Sequence, residues 1–209
     1  MEGKIATSPD PLKILVVNSE RELRLLDPSV RRAYLDGGAL LRHDNSDKST
    51  GGWISEEVKV GTNVHLSRTA IVLGQKSIGN NVFLGDNTTV RNSEIKDDVR
   101  MGDGVLIGDS LLLGNCRIGH GAVIDSSVLG YDVSVGDMAL VARSEVRNHV
   151  QVGGGSSVKG SMMLGNNRIG EGSVITDSTV FVNLEIGERS VIAHSRIELT
   201  KARRIAPDS

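Results

Sequence analysis

The stretch Ile118-Gly119-His120-Gly121-Ala122-Val123-Ile124 opens a unit of 17 residues that recurs without slips over residues 78–199. When the units are stacked, whole columns become uniform. Three columns contain only aliphatic residues or methionine, and they are 6, 6 and 5 residues apart. Two other columns contain only glycine or only serine: Gly85, Gly102, Gly119, Gly136, Gly153, Gly170 and Gly187; Ser93, Ser110, Ser127, Ser144, Ser161, Ser178 and Ser195. A fixed period of this kind predicts a solenoid.

The spacing of the aliphatic columns gives each unit three sides. A side of six residues is too short for a helical repeat, but it suits a short strand followed by a corner, with alternate side chains pointing inward. We therefore predict an all-β prism of parallel strands with 17-residue coils. The glycine column and a column of mostly Asn and Asp are expected at the corners, because these residues tolerate left-handed backbone angles. Each serine stands two residues before an aliphatic and is expected inside, as a small residue in a tight corner.

The repeat unit resembles the hexapeptide repeat of the left-handed parallel β-helix superfamily. This resemblance implies the left hand of the solenoid, since parallel crossovers are otherwise right-handed. It also implies a homotrimer. The superfamily contains acyl-CoA-dependent acyltransferases, γ-type carbonic anhydrases and the C-terminal prisms of sugar-phosphate nucleotidyltransferases. Fold alone does not choose between them.

Three regions are predicted along the chain. Residues 1–50 read as a small N-terminal α/β cap, with strands over residues 12–17 and 39–42 and a helix between them. Residues 51–200 form the β-helix, whose first aliphatic is Ile54, and residues 201–209 are a C-terminal tail. Trp53 is expected to plug the open end of the prism, because an uncapped β-helix exposes strand edges.

Composition limits the classes of partner. The chain of 209 residues has 24 basic and 26 acidic residues, so it lacks the excess of positive charge that binding to nucleic acid or an anionic membrane requires. It has neither a run of eighteen apolar residues nor a signal-peptide pattern, which predicts a cytoplasmic protein. The single cysteine, Cys116, falls on an inward position and is expected to be an inert core thiol.

The acyltransferases of this superfamily use a histidine as general base in a groove between subunits. His120 and His149 are the two candidates for that catalytic role here. They lie on different corners, so they are not expected to act as a pair within one chain. The cofactor implied is acetyl-CoA or another acyl-CoA, although no cofactor-binding motif is evident and no long loop forms a lid. No metal site is predicted, because no two histidines are within ten residues of each other, unlike those of a γ-type carbonic anhydrase.

Two functions remain open on the sequence. The first is a non-catalytic scaffold or binding and assembly module, favoured because site signals are sparse. The segment Ser127-Val128-Leu129-Gly130-Tyr131-Asp132-Val133 resembles the assembling prisms of nucleotidyltransferases, yet no glycine-rich phosphate loop follows the strand at residues 12–17. The alternative is an acyl-CoA-dependent acyltransferase. Whether the chain is an enzyme stays open, and the partners expected are further copies of itself and a protein partner.

Overall fold

The computed structural model describes residues 40–198, together with the backbone of Ile14–Leu15 and Arg203–Ile205. These residues form the three-sided parallel solenoid that the repeat predicts, and residues 40–198 contain no helix. The described part of the chain therefore has no helix that could span a membrane. One sheet forms each side of the prism, and the chain visits the three sheets in turn.

The strands are short, and their bounds follow the three sheets. Sheet 1 has 11 strands: Ile14–Leu15, Leu40–Asp44, Thr50–Ser55, Ile71–Leu73, Thr89–Arg91, Leu106–Gly108, Val123–Asp125, Leu140–Ala142, Ser157–Lys159, Val174–Thr176 and Val191–Ala193. Sheet 2 has 9 strands: Lys59–Val60, Ser77–Ile78, Glu94–Ile95, Leu111–Gly114, Val128–Tyr131, Glu145–Val146, Met162–Met163, Thr179–Val180 and Arg196–Ile197. Sheet 3 also has 9 strands: His65–Leu66, Phe83–Leu84, Arg100–Met101, Arg117–Ile118, Ser134–Val135, Gln151–Val152, Arg168–Ile169, Leu184–Ile186 and Arg203–Ile205.

Strand pairing follows the sequence period. Met101 pairs with Ile118, and Ile118 pairs with Val135, so each residue lies beside the one 17 positions further on. The first coil is longer by one residue, since Leu66 pairs with Leu84. The first coil begins at Thr50–Ser55, whose Ile54 pairs with Val72.

One continuous apolar core runs along the prism, built from the three aliphatic columns. Leu84, Met101 and Ile118 are at most 3% exposed. The serine column is inside as predicted, because Ser93 to Ser178 are all buried. Because every coil presents the same inward set, the core has the same cross-section from coil to coil, and function must be sought on the outer faces.

The backbone angles at the corners differ in part from the expectation that both the glycine column and the Asn and Asp column are left-handed. The Asn and Asp column does adopt left-handed angles, for example φ of 60° at Asp98 and 57° at Asp132. The glycine column does not. Its glycines are required by close approach instead, since a Cβ on Gly119 would lie 2.5 Å from the backbone nitrogen of Asp137, and one on Gly136 would lie 2.5 Å from that of Gly154. A side chain there would push neighbouring coils apart.

The N-terminal end differs from the predicted plug. Leu40–Asp44 runs antiparallel to Thr50–Ser55 and extends sheet 1, with Ile14–Leu15 beyond it. The half-buried Trp53 packs with Leu40, Ile71 and Leu73 in a cluster separate from the prism core, with the guanidinium of Arg42 3.8 Å from its ring centroid. Trp53 therefore does not plug the core, because its neighbour Ile54 takes the inward position. The helix predicted for the cap falls outside the described residues.

Candidate functional site

His120 follows the strand Arg117–Ile118 at one edge of sheet 3. Its Nδ1 accepts a hydrogen bond of 3.0 Å from the backbone N–H of Asp103, one coil earlier. A carboxylate does the same elsewhere in this column, since the N–H of Asp86 donates to Asp103 Oδ1 at 2.8 Å. The imidazole thus replaces a carboxylate in a structural ladder. Because Nδ1 is an acceptor, the neutral ring carries its proton on Nε2 and offers a donor, not a base, to the solvent.

His149 has the opposite arrangement. It precedes the strand Gln151–Val152 at the other edge of sheet 3, and its Nδ1 lies 3.2 Å from Asp132 Oδ2. Asn115 donates to the other oxygen of the same carboxylate, which holds Asp132 in place. A carboxylate facing Nδ1 favours the tautomer with the proton on that nitrogen, so Nε2 is left as a free acceptor. The His149 side chain is 60% exposed, which leaves Nε2 open to a substrate.

The two predicted histidines are not brought together. His120 and His149 lie on opposite edges of sheet 3, and the strand Ser134–Val135 separates their coils. This agrees with the expectation that they do not form a pair within one chain. Sequence reasoning missed Asp132 as the partner of His149, although the signal was available, because it stands in the same column one period earlier.

The remaining histidines make different contacts. His194 Nδ1 lies 3.8 Å from Asp177 Oδ2, a longer separation at the corner between sheets 1 and 2. His43 Nε2 lies 3.2 Å from the carbonyl oxygen of Val64. His65 stacks on Phe83, with ring centroids 5.1 Å apart. Beside sheet 3, His120 Nδ1 also lies 3.5 Å from a carboxylate oxygen, Asp103 Oδ2, so His149 is distinguished by its shorter separation of 3.2 Å and by the absence of a backbone N–H bond to its Nδ1.

An open groove of about 1520 Å³ runs along the outer face of sheet 3. Its lining includes Phe83, Arg100, Arg117 and Arg168, which point outward from successive or nearby strands. None of the three arginines forms an ion pair with another residue in the part of the chain that the structure describes. The sequence placed Arg100 and Arg168 on a solvated face, because a single-sequence pattern does not show that the face is concave.

Thiol and metal chemistry have no support at this site. Cys116 is fully buried, and burial raises the pKa of its thiol, which opposes a nucleophilic role. Its Sγ lies 3.2 Å from the carbonyl oxygen of Gly130, inside the core as predicted. The described residues contain no group of three or more His, Cys, Asp or Glu side chains that could hold a metal ion.

Residues 54–154 match the family model of the GMPPB C-terminal domain. No curated protein matches the sequence significantly. Among solved structures, the UDP-N-acetylglucosamine acyltransferase of Francisella novicida is 15% identical over 66% of this chain and 60% of its own, with a TM-score of 0.34. The corresponding Campylobacter jejuni enzyme is 20% identical over 66% of each chain, with a TM-score of 0.29.

AntD, an N-acyltransferase from Bacillus cereus solved with dTDP and coenzyme A, is 17% identical over 69% of this chain and 83% of its own, with a TM-score of 0.27. These likenesses concern the repeat fold alone, and the chain spans no more than 66% of the length of the two UDP-N-acetylglucosamine enzymes. Activity has to be argued from the residues of this chain. The 17-residue repeat, the three-sided prism and the family match show that residues 54–154 form a hexapeptide-repeat β-helix domain.

Proposed function

We propose that the chain is an acyl-CoA-dependent acyltransferase in which His149 is the general base. The observation that carries this proposal is the distance of 3.2 Å between His149 Nδ1 and Asp132 Oδ2, with the rest of the ring exposed beside sheet 3. A base that is oriented by a carboxylate is the arrangement that activates a nucleophile in many acyl-transfer enzymes. Acyl-CoA is proposed as the acyl donor because the acyltransferases of the superfamily use it.

The chemistry required of the chain is a proton relay. Acyl-CoA supplies the thioester carbonyl that is attacked. His149 Nε2 takes the proton of a hydroxyl or amine acceptor as its oxygen or nitrogen bonds to the carbonyl carbon. Asp132 stabilises the resulting imidazolium through Nδ1. As the carbon–sulfur bond breaks, His149 returns the proton to the departing thiolate, and the neutral ring is restored.

A homotrimer, which the superfamily resemblance implies, is part of the same proposal. The His149 corner is exposed on a single chain, so a neighbouring prism packed beside it would exclude water from the reacting atoms. His120 would then keep a structural role, because its Nδ1 already accepts a backbone hydrogen bond. The cytoplasmic location predicted from the sequence stays a prediction.

A non-catalytic assembling prism is the second candidate. The observation that favours it is the regularity of the coils, since no long loop interrupts residues 78–198 to cover a substrate. This candidate predicts no turnover with any acyl-CoA and no effect of replacing His149.

The test is a thiol-release assay with acetyl-CoA and longer acyl-CoAs against a panel of amine and hydroxyl acceptors. His149→Gln is expected to lower turnover by about 10²- to 10⁴-fold, because the general base is removed. Asp132→Asn should give a smaller loss, because an amide can still contact the ring without stabilising its charge. His194→Gln is the matched control, since it removes a corner histidine with a more distant carboxylate.

Two results would contradict the assignment of His149 as the general base. The first is unchanged turnover in His149→Gln with a normal melting temperature. The second is a loss confined to His120→Asn, which would assign the base to His120. No thiol release from any acyl-CoA, with no shift in melting temperature at millimolar CoA, would favour the assembling prism.

A further inference from the structure

The outer face of sheet 2 carries two columns of side chains that run along the prism. Each strand turns its middle residue inward, such as the fully buried Ile95, and the residues on either side of it outward, such as Glu94 and Lys96. The Glu94 column and the Lys96 column have seven members each: Glu94, Leu111, Val128, Glu145, Met162, Thr179 and Arg196; Lys96, Leu113, Gly130, Arg147, Leu164, Phe181 and Glu198. The two columns share one face, since the guanidinium of Arg196 lies 5.5 Å from the ring centroid of Phe181 in the preceding coil.

Ion pairs occur in every third coil of this face. Three coils contain one each: Glu94 with Lys96 at 2.5 Å, Glu145 with Arg147 at 2.7 Å, and Arg196 with Glu198. Each pair joins the Glu94 column to the Lys96 column. The two columns therefore carry opposite charges at the same height along the prism, and the face as a whole is neutral.

The two coils between successive ion pairs are mostly apolar. Their apolar side chains are Leu111, Leu113 and Val128 in the first interval and Met162, Leu164 and Phe181 in the second. Val128 and Met162 are 36% and 37% exposed. A face on which apolar side chains recur in this way gains free energy when another surface removes them from water.

A second copy of this chain matches the face when the two prisms are parallel and at the same height. Rotation about an axis parallel to the prisms brings the Glu94 column of one copy against the Lys96 column of the next. Glu145 then faces Arg147 of the partner copy, and Leu111 faces Leu113 of the partner copy. The match holds in any closed ring of parallel copies, which includes the homotrimer of the proposed function.

Like charges disfavour the antiparallel arrangement. With the prisms antiparallel and face to face, each column meets itself. In the middle coil, Glu145 would face Glu145 of the partner copy and Arg147 would face Arg147 of the partner copy, and like charges placed opposite each other repel. The apolar coils thus supply the burial, and the coils with ion pairs fix the orientation.

We propose that sheet 2 is the face through which copies of this chain pack, with their prisms parallel and at the same height. The inference deepens the proposed function and rests on it, because it names the surface that brings a neighbouring copy to the His149 corner. It also identifies a residue that the neighbouring copy contributes to that corner.

That residue is Arg143. His149 stands two residues after Arg147, and Arg143 stands two residues before Glu145, so they occupy opposite edges of the same coil of sheet 2. In the parallel arrangement the edge with His149 lies beside the partner copy's edge with Arg143. Arg143 is exposed and forms no ion pair with any residue that the structure describes. Its guanidinium can stabilise the negative charge that develops on the thioester oxygen when the acceptor attacks.

The first test is the oligomeric state of the full chain, measured by light scattering during gel filtration. Glu145→Arg is expected to weaken association by more than tenfold, because it places two cations opposite each other. Adding Arg147→Glu should restore the oligomer, since the two columns again carry opposite charges. Glu185→Arg is the matched control, because it reverses an exposed charge on the outer face of sheet 3 and should leave the oligomer unchanged.

The second test is complementation between copies. Arg143→Gln is expected to lower turnover by about 10²-fold, because a charge that stabilises the transition state is lost. When Arg143→Gln and His149→Gln proteins exchange subunits, turnover should rise above that of either variant alone. The reason is that some contacts then join an intact His149 to an intact Arg143 of the partner copy.

A monomeric chain at micromolar concentration would overturn the packing face, and so would an oligomer that Glu145→Arg leaves unchanged. Subunit exchange without recovery of turnover would overturn the contribution of Arg143. Turnover that depends on His149 in an oligomer that ignores the sheet 2 variants would sink this inference and keep the catalytic one. An oligomer that responds to those variants as expected, without turnover, would keep the packing face and remove the catalytic role of both residues.

Discussion

At the scale of single residues, the serine column does more than fill space. From Ser93 to Ser178, each serine hydroxyl donates to the carbonyl oxygen two residues earlier and accepts from the backbone N–H of the next serine along the column. For Ser144 these bonds are 2.8 Å to Ala142 and 3.1 Å from Ser161. Such a ladder gives a buried backbone N–H its acceptor at every coil, so loss of the Ser144 hydroxyl leaves the N–H of Ser161 without a partner, while Ala142 O still accepts from the N–H of Gly160.

Ser144→Ala is therefore expected to lower the free energy of unfolding by about 2 kcal/mol, the cost of leaving one buried backbone N–H unpaired. Ser195→Ala is the matched control. Ser195 ends the column within the described residues and donates only one exposed bond, to Ala193. Ser195→Ala should lower the free energy of unfolding, measured by chemical denaturation, by less than about 1 kcal/mol. Equal losses in the two variants would show that the ladder contributes nothing beyond the size of the side chain.

Inward serines were predictable from spacing, but this ladder was not. The pattern places a serine two residues before an aliphatic and hence inside. It does not show that the hydroxyl of Ser127 reaches the N–H of Ser144, at 3.1 Å. That contact depends on the stacking distance between coils, which the sequence does not state.

At the scale of the repeating coil, side-chain acceptors cap the corner between sheets 3 and 1. The N–H of His120 donates to Asp137 Oδ1, and that of Asp86 donates to Asp103 Oδ1. Gly154 interrupts the column, since it has no side chain to accept from Asp137. Its φ lies outside the left-handed region, so the backbone accepts another residue type.

Gly154→Asn should raise the stability by about 1 kcal/mol. It restores the acceptor and reduces the freedom of the unfolded chain. Its Cβ would lie 3.3 Å from the carbonyl oxygen of Asp137, so the gain requires this oxygen, which accepts the N–H of Gly155 at 2.8 Å, to move by a few tenths of an ångström.

Gly155→Ala is the informative comparison. Nothing lies within 4 Å of its Cβ, but its φ is +62°, so it should cost about 1 kcal/mol in backbone strain. Melting temperatures that shift in the same direction for both variants would contradict this account.

The candidate site also belongs to this scale. The sequence placed His120 and His149 on different corners, and the structure agrees. The sequence could not say which of the two histidines is the better general base, because they differ in the group that contacts Nδ1 from the preceding coil. His120 Nδ1 receives a backbone N–H at 3.0 Å and has a carboxylate oxygen at 3.5 Å, whereas His149 Nδ1 has a carboxylate oxygen at 3.2 Å. These partners are 17 positions away, so only the stacking of coils sets the distances and angles involved.

At the scale of the whole molecule, the prism is a one-dimensional stack. Each coil buries its aliphatic residues against the coils before and after it, so stability depends on nearest neighbours. Ile124 and Ile192 occupy the same column, but Ile124 is fully buried in a middle coil and Ile192 is 7% exposed near the end.

Ile124→Ala is expected to lower the free energy of unfolding by about 3 to 4 kcal/mol, while Ile192→Ala should cost about half as much, because fewer atoms surround the cavity. Hydrogen exchange should show faster opening along the middle coils in the first variant and only near the last coils in the second. Equal losses, or global opening in both, would show that the stack unfolds as a single cooperative unit.

The sequence by itself determined the solenoid, its three sides, the inward columns and the 17-residue register, because a strict period forces every coil to bury the same positions. It left function between scaffold and acyltransferase. Only the tertiary structure decided that the glycine column serves close approach, that Trp53 packs outside the core, and that Asp132 faces His149. It also aligned Phe83, Arg100 and Arg117 in one groove. The physical reason is the same in each case: these contacts join residues of different coils, and their geometry follows from how the coils stack.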